Sequence, residues 1–162
     1  MRVITKKYPK GIKVVGLILS KEKNKIVLIE RRRGDKHYYV FPGGGIDDAD
    51  LNPKSALLRE IKEETNIEVR VIAQPYELRI RGHTKQIVYV CEYLKGEIKL
   101  IGEELNKNCP ADFYQPGWYE VVNLINMKVY PLEIRDWLIR DLEAQKWIKR
   151  KIEIESFDDL RN

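Results

Sequence analysis

The chain has 162 residues, 43% apolar and 34% charged, which suits one domain with its own core. A mean hydropathy of -0.46 and the lack of any apolar run near the ~20 residues of a spanning helix exclude a helical membrane protein. Lys and Arg number 30 against 25 Asp and Glu, and the resulting formal charge of +5 makes the surface mildly attractive to polyanions.

Two cysteines, Cys91 and Cys109, without a CxxC pair, exclude a disulfide framework and a structural zinc site. The opening MRVITKKYPK has no signal-peptide apolar core, so a reducing cytoplasm is the expected compartment and residues 1–162 are expected to form a single domain. Basic runs stand at Lys6-Lys7, Arg31-Arg32-Arg33 and Lys149-Arg150-Lys151, separated by acidic stretches, each compatible with an ordinary solvated face.

In chain order, residues 13–19 and 25–30 are rich in β-branched side chains and read as strands joined by the polar Lys21-Glu22-Lys23-Asn24. Residues 38–41 form a third strand, closed by Pro42-Gly43-Gly44-Gly45, and a loop follows. From Pro53 to Thr65 the period becomes helical. Asn52 stands at the cap, and Pro53 at the first helical position, where its missing N–H costs nothing. Further strands are expected at 69–72, 77–80, 86–94, 97–100 and 118–122. A second helix is expected over about 131–150, its Leu132, Trp137, Leu138 and Leu142 falling near a 3.6-residue period. Strands, helix, strands, helix argue for an α+β fold with a mixed sheet rather than alternating βαβ units. The tail IEIESFDDLRN alternates before turning acidic, and an added edge strand or a homodimer contact both fit it.

Chemistry concentrates on the first helix. At about 100° per residue, Glu60, Glu63 and Glu64 share an arc of roughly 100°, while Leu57, Leu58 and Ile61 centre about 130° away. One face is therefore apolar and another acidic. Three carboxylates at i, i+3 and i+4 repel one another, and a multivalent cation would convert that repulsion into binding. Hard oxygen donors select Mg²⁺ or Mn²⁺ over zinc. The plainer alternative is a solvated acidic face with an ordinary Arg59–Glu63 ion pair. Just upstream, Gly43-Gly44-Gly45 permits positive φ and close approach of backbone carbonyls to a ligand, or simply a tight turn.

Together these segments resemble the Nudix box: Gly, five residues, Glu, seven residues, then Arg-Glu-aliphatic-any-Glu-Glu-any-Gly-aliphatic. The second half stands here as Arg59-Glu60-Ile61-Lys62-Glu63-Glu64-Thr65-Asn66-Ile67, and Val40-Phe41-Pro42-Gly43-Gly44-Gly45 has the form that family shows before it. The box spans about 44–67. Three departures stand out. After Gly44 and five intervening residues, Asp50 replaces the usual Glu; one extra loop residue separates it from Arg59; and Asn66 replaces Gly, a position Asn tolerates because it visits the left-handed region.

The resemblance implies an α/β/α sandwich and cleavage of a phosphoanhydride in a nucleoside diphosphate linked to a further group, with Mg²⁺ or Mn²⁺ as cofactor. It implies that Glu60, Glu63, Glu64 and the Gly43 carbonyl hold metal, with Glu63 and Glu64 among the catalytic carboxylates. Arg59 takes a structural role, held by Asp50. A downstream loop carboxylate often completes such sites, and Glu104 of Gly102-Glu103-Glu104 is the candidate. Arg31 and Arg33 alternate at the end of a strand that borders the pocket in that family, and Tyr38 and Tyr39 alternate beside them. Arg31, Arg33 and Tyr39 are the expected substrate contacts.

Trp118 and Trp137 are expected in the core, and His37 and His83 are given no role. ADP-ribose hydrolases of that family carry a marker Pro about fifteen residues past the box. The window Arg81-Gly82-His83-Thr84 has none, which disfavours that substrate. Removal of pyrophosphate from a triphosphorylated RNA end is a second enzymatic reading, helped by the positive charge but without a visible stacking platform for nucleic acid. A non-catalytic nucleotide-binding module is the third, and retention of all three helix glutamates weighs against it.

Overall fold

The structure, a computed structural model, describes residues 11–81 and 84–155, with the side chains of Glu103, Glu104 and Lys107 outside the described set. In chain order the elements are β1 (Ile12–Leu19), β2 (Lys25–Arg33), β3 (Lys36–Val40), β4 (Gly43–Gly45), α1 (Pro53–Thr65), β5 (Glu68–Ile80), β6 (Lys85–Lys95), α2 (Gly102–Lys107) and β7 (Asp112–Glu120). A 3₁₀ turn at Val121–Asn126, β8 (Val129–Tyr130), α3 (Leu132–Ala144) and β9 (Arg150–Ile154) complete the order.

One mixed sheet runs β8-β3-β2-β1-β6-β5-β9, with β4 added along β1 and β7 along β2. The β1–β6, β3–β8 and β5–β9 pairs are parallel and the others antiparallel. Alternate residues of β1 feed two cores because side chains alternate across a strand. Leu17 and Leu19 join Leu28, Leu78, Ile134 and Leu138 beneath α3, while Val14 and Ile18 join Ala56, Leu57 and Ile61 beneath α1. A helix therefore covers each face of the sheet, the α/β/α sandwich expected from the sequence. That is why β1 reads as a continuous apolar run rather than an alternating one. Ile61 is fully buried, and trimming it to Ala costs ~2–5 kcal/mol. Among the described residues no helix is long and apolar enough to cross a membrane.

The caps of α1 follow from its end residues. Asn52 Oδ1 accepts from the Ser55 N–H at 2.8 Å, Pro53 opens the helix, and Asn66 closes it at φ 63° with its N–H donating to Lys62 O. Its apolar face is narrower than the sequence suggests: Leu58 is 40% exposed.

Other boundaries need correction. Residues 97–100 form no strand, and Gly102-Glu103-Glu104 opens a helix rather than a loop after a strand. The two expected strands at 69–72 and 77–80 are one, β5, whose register shifts absorb Pro75. The last helix stops at Ala144, where Gln145 turns left-handed, and 150–154 pair with β5 as an edge strand.

Candidate active site

β1 and β2 pair at Leu19–Ile26, and β4 lies along the first half of β1, pairing Lys13, Val14 and Val15 with Gly45, Gly44 and Gly43. Between β1 with β4 on one side and β3 with β8 on the other lies a cleft of about 340 Å³. Gly43 and Gly44 form part of its wall, and Lys13, Arg33, Tyr38, Gln86 and Tyr130 add charge, polarity and aromatic surface.

The glycines serve close approach rather than a left-handed turn. Positive φ occurs at Gly11, Gly34, Gly96 and Gly102 but at none of residues 43–45. A Cβ on Gly43 would sit 2.0 Å from the Val14 carbonyl oxygen, and one on Gly44 would sit 2.4 Å from Glu60 Cδ. Gly44 is thus the partition between the cleft and the acidic face of α1.

On that face Arg59 is the hub. Its Nε donates to Asp50 Oδ1 at 3.0 Å and its Nη2 to Asp50 Oδ2 at 2.9 Å and Gly45 O at 3.1 Å, while Nη1 donates to Glu60 Oε1 at 3.0 Å and Glu63 Oε2 at 3.3 Å. A planar guanidinium meets these acceptors in a fork that an ammonium does not match. The loop closes on itself beside it. The Asp47 N–H donates to Asp50 Oδ2 at 2.8 Å, and the Asp50 N–H donates to Asp47 O at 3.0 Å.

The Arg59 hydrogen bonds hold the Asp50 carboxyl below the usual carboxylate range. Glu60 moves the other way. Burial pushes its carboxyl up, against the Arg59 hydrogen bond and charge, and the neighbouring Glu63 charge adds to the rise. Glu64 lies within hydrogen-bonding reach of Glu60. Three carboxylates thus crowd one helix face with Arg59 bridging two of them. Among the described residues no three His, Cys, Asp or Glu side chains form a ready metal-holding group. The donor set is nevertheless the hard-oxygen kind that suits Mg²⁺ or Mn²⁺, with the Gly43–Gly44 backbone alongside.

The expected substrate contacts separate. Arg33 lines the cleft. Arg31 does not line it: it pairs with Asp112 at 2.7 Å, to which Arg33 Nε also comes within 3.8 Å, and lies over the Tyr114 ring. Tyr39 is a correction: it packs on the core beneath α3 against Tyr119, rings 5.2 Å apart, while Tyr38 lines the cleft. Burial, then the Glu30 charge, raises the Tyr39 hydroxyl above its ordinary range. Trp118 and Trp137 pack on the two cores. The Glu104 side chain and residues Gly82 and His83 lie outside the described set. Sequence reading missed Lys13, Gln86 and Tyr130. A lysine at a strand start, one glutamine in β6 and a tyrosine before Pro131 carry no local motif, and only the splay of β1 from β2 gathers them.

The NUDIX domain family model matches residues 10–136. An ADP-ribose pyrophosphatase of Methanocaldococcus jannaschii is 34% identical over 88 residues, 51% of this chain and 51% of that protein. An RNA pyrophosphohydrolase of a Marinomonas species is 37% identical over 71 residues, 44% of this chain and 38% of that protein. The matches therefore span about half or less of the length of these relatives. Among solved structures, a NUDIX hydrolase from Nitrosomonas europaea superposes with a TM-score of 0.67 at 12% identity, over 92% of this chain and 82% of that one. An ADP-ribose pyrophosphatase from Streptococcus suis superposes with a TM-score of 0.62 at 18% identity, over 87% of this chain and 98% of that one. These likenesses establish a shared fold. With the Arg59–Glu64 run on α1 and the family model covering most of its length, the chain belongs to the NUDIX domain family.

Proposed function

We propose that the chain is a divalent-cation-dependent hydrolase that cleaves a phosphoanhydride in a nucleotide or nucleotide-linked small molecule. The observation that carries this reading is the juxtaposition across Gly44: a basic, aromatic cleft on one side and the crowded Glu60 carboxylate on the other. A phosphoanhydride lying over the Gly43–Gly44 backbone would meet both.

Glu60, Glu63, Glu64 and the Gly43 carbonyl would hold Mg²⁺ or Mn²⁺. The ion, when bound, neutralises phosphate charge and lowers the pKa of water. The chain's own part is to position and to accept a proton. Lys13 and Arg33 draw the anionic substrate into the cleft, Tyr38 and Tyr130 offer ring surface, and Asp50 with Arg59 fixes the glycine loop on α1. The proton of the attacking water passes to a carboxylate of the set Glu63, Glu64 and Glu104. The Glu63 side chain is 47% exposed, more open to solvent than Glu60 at 17%. Cys91 and Cys109 are both free, which suits a reducing cytoplasm.

A second reading, removal of pyrophosphate from a triphosphorylated RNA end, draws on the Marinomonas relative and on the exposed Arg32 and Arg33 of β2. The Methanocaldococcus relative returns ADP-ribose to consideration, although this chain has no Pro in the 81–84 window. The test is phosphate, pyrophosphate and nucleoside monophosphate release with Mg²⁺ or Mn²⁺ over nucleoside triphosphates, nucleotide sugars, ADP-ribose, dinucleoside polyphosphates and triphosphorylated RNA. Metal-dependent turnover of one class supports the proposal and names the substrate. Silence across the panel overturns it.

A further inference from the structure

Resting on the reading of this cleft as a nucleotide site, we propose that Gln86 is its specificity-determining residue, accepting a hydrogen bond from the exocyclic amino group of a nucleobase. Gln86 is fixed on both sides: it stands opposite Lys13 of β1 in parallel register and opposite Leu78 of β5 in antiparallel register. Its backbone therefore cannot turn the side chain away. Gln86 lines the cleft, and its Oε1 is buried beside it with no hydrogen-bond partner among the described residues. Buried acceptors in folded proteins are satisfied with few exceptions, and an unpaired one on a residue that lines a ligand-sized cleft gains its donor when the amide turns to a ligand.

The surroundings narrow that donor. Tyr38 and Tyr130 meet edge to face on the wall formed by β3 and β8, centroids 6.0 Å apart and planes at 77°, presenting aromatic surface suited to a flat heterocycle. Lys13 and Arg33 supply positive charge at the cleft for the phosphates, so the anionic end of a nucleotide is accounted for without Gln86. What is left for a neutral amide oxygen is an N–H donor at a base edge. A buried acceptor also discriminates sharply, because a ligand lacking the donor leaves the acceptor unpaired once the cleft is filled.

The test uses the full chain in EDTA, where no hydrolysis occurs, and measures calorimetric Kd values for ADP, GDP, IDP, CDP and UDP. GDP differs from IDP by an added amino group, whereas ADP differs from IDP, and CDP from UDP, by exchange of an amino for a keto group. At least one amino-bearing nucleotide is expected to bind about tenfold more tightly than the nucleotide of its pair that lacks that amino group, equivalent to ~1.4 kcal/mol. In Gln86→Met, which keeps length but has no strong acceptor, the ratio is expected to fall to within about twofold. Gln86→Glu retains an acceptor oxygen and should keep the order of preference even if overall affinity drops, which separates loss of recognition from loss of fold.

Equal binding across every pair, as a ribose hydroxyl donor would give, overturns the assignment. So does a preference that survives Gln86→Met, or a chain that binds none of the five nucleotides. Failure of the hydrolase reading alone has a different signature: nucleotides that bind with the expected preference but are not turned over when Mg²⁺ is restored.

Discussion

Asp50 grips Arg59 through a two-point fork, Nε to Oδ1 at 3.0 Å and Nη2 to Oδ2 at 2.9 Å, although an aspartate arm is one carbon shorter than the glutamate usual at this place in the Nudix box. The extra loop residue and the turn between Asp47 and Asp50 carry the carboxylate to the guanidinium. Because the carboxyl is held below its ordinary range, the ionised form is the one the fold binds. That stabilisation is fully present above the unfolded value near pH 4 and is lost as pH falls through the lower folded value. Asp50→Asn is therefore expected to lower stability by about 2 kcal/mol at pH 7, a melting temperature drop of roughly 4–8 °C. The gap to wild type should close on acidification below about pH 4. A gap independent of pH would show that the carboxylate charge is not what holds Arg59.

Adjacent glycines should fail in different ways. The Cβ of Gly44→Ala meets the end of a flexible glutamate side chain, which can swing aside, so the melting temperature should move by only a few degrees while hydrolysis drops at least about tenfold. Gly43→Ala drives its Cβ into the Val14 backbone carbonyl, which cannot yield without breaking the β1–β4 pairing. It should cost ~3 kcal/mol or more. Thermal melts beside a turnover assay separate the two. A fully active Gly44→Ala protein would remove the link between the cleft and Glu60.

Far from the cleft, Asp141 is buried on α3 and accepts from the Tyr76 hydroxyl, both ends of Arg150 and the Ile148 N–H. Burial alone would raise its carboxyl, yet the hydrogen bonds from Arg150, Tyr76 and Ile148 bring it below the ordinary range. The cluster ties β5, α3 and β9 together, with Arg150 also over the Tyr76 and Trp137 rings. Asp141→Ala strands a guanidinium, a phenol and an amide at once and should cost ~3–5 kcal/mol in urea denaturation, whereas Tyr76→Phe should cost about 1 kcal/mol. A loss under 1 kcal/mol for Asp141→Ala would mean that the cluster contributes little to stability.

What was legible in the sequence was local. The span of α1 follows from Asn52 and Pro53 at one end and Asn66 at the other, and the acidic face follows from helical spacing alone. What was not legible depends on distant pairing. The alternation at Tyr38-Tyr39 says that the two differ in face but not which is inward; the register of Tyr39 with Glu30 and of Tyr38 with Arg31 decides it. Residues 97–100 alternate as a strand would, yet find no ladder, and Lys99 N–H bonds to Thr65 O in the helix terminus instead. Pro75 reads as a break because it cannot donate, while the register shifts of β5 carry it within one strand. Tyr76, Asp141 and Arg150 bear no motif, being brought together only by the parallel pairing of β9 on β5.

The most direct measurement compares wild type with Glu63→Gln and Glu64→Gln for Mg²⁺-dependent turnover of the best substrate, with calorimetric Mn²⁺ binding and thermal melts on the same preparations. These substitutions remove charge from the acidic face of α1 while keeping shape. The expected result is a melting temperature within a few degrees of wild type, since relief of like-charge repulsion offsets the lost Arg59–Glu63 pair. Mn²⁺ affinity should be weakened at least about tenfold, and turnover reduced by about a hundredfold or more. Turnover and Mn²⁺ binding within a few-fold of wild type in both variants would contradict the assignment of the α1 glutamates as a metal-dependent hydrolytic site.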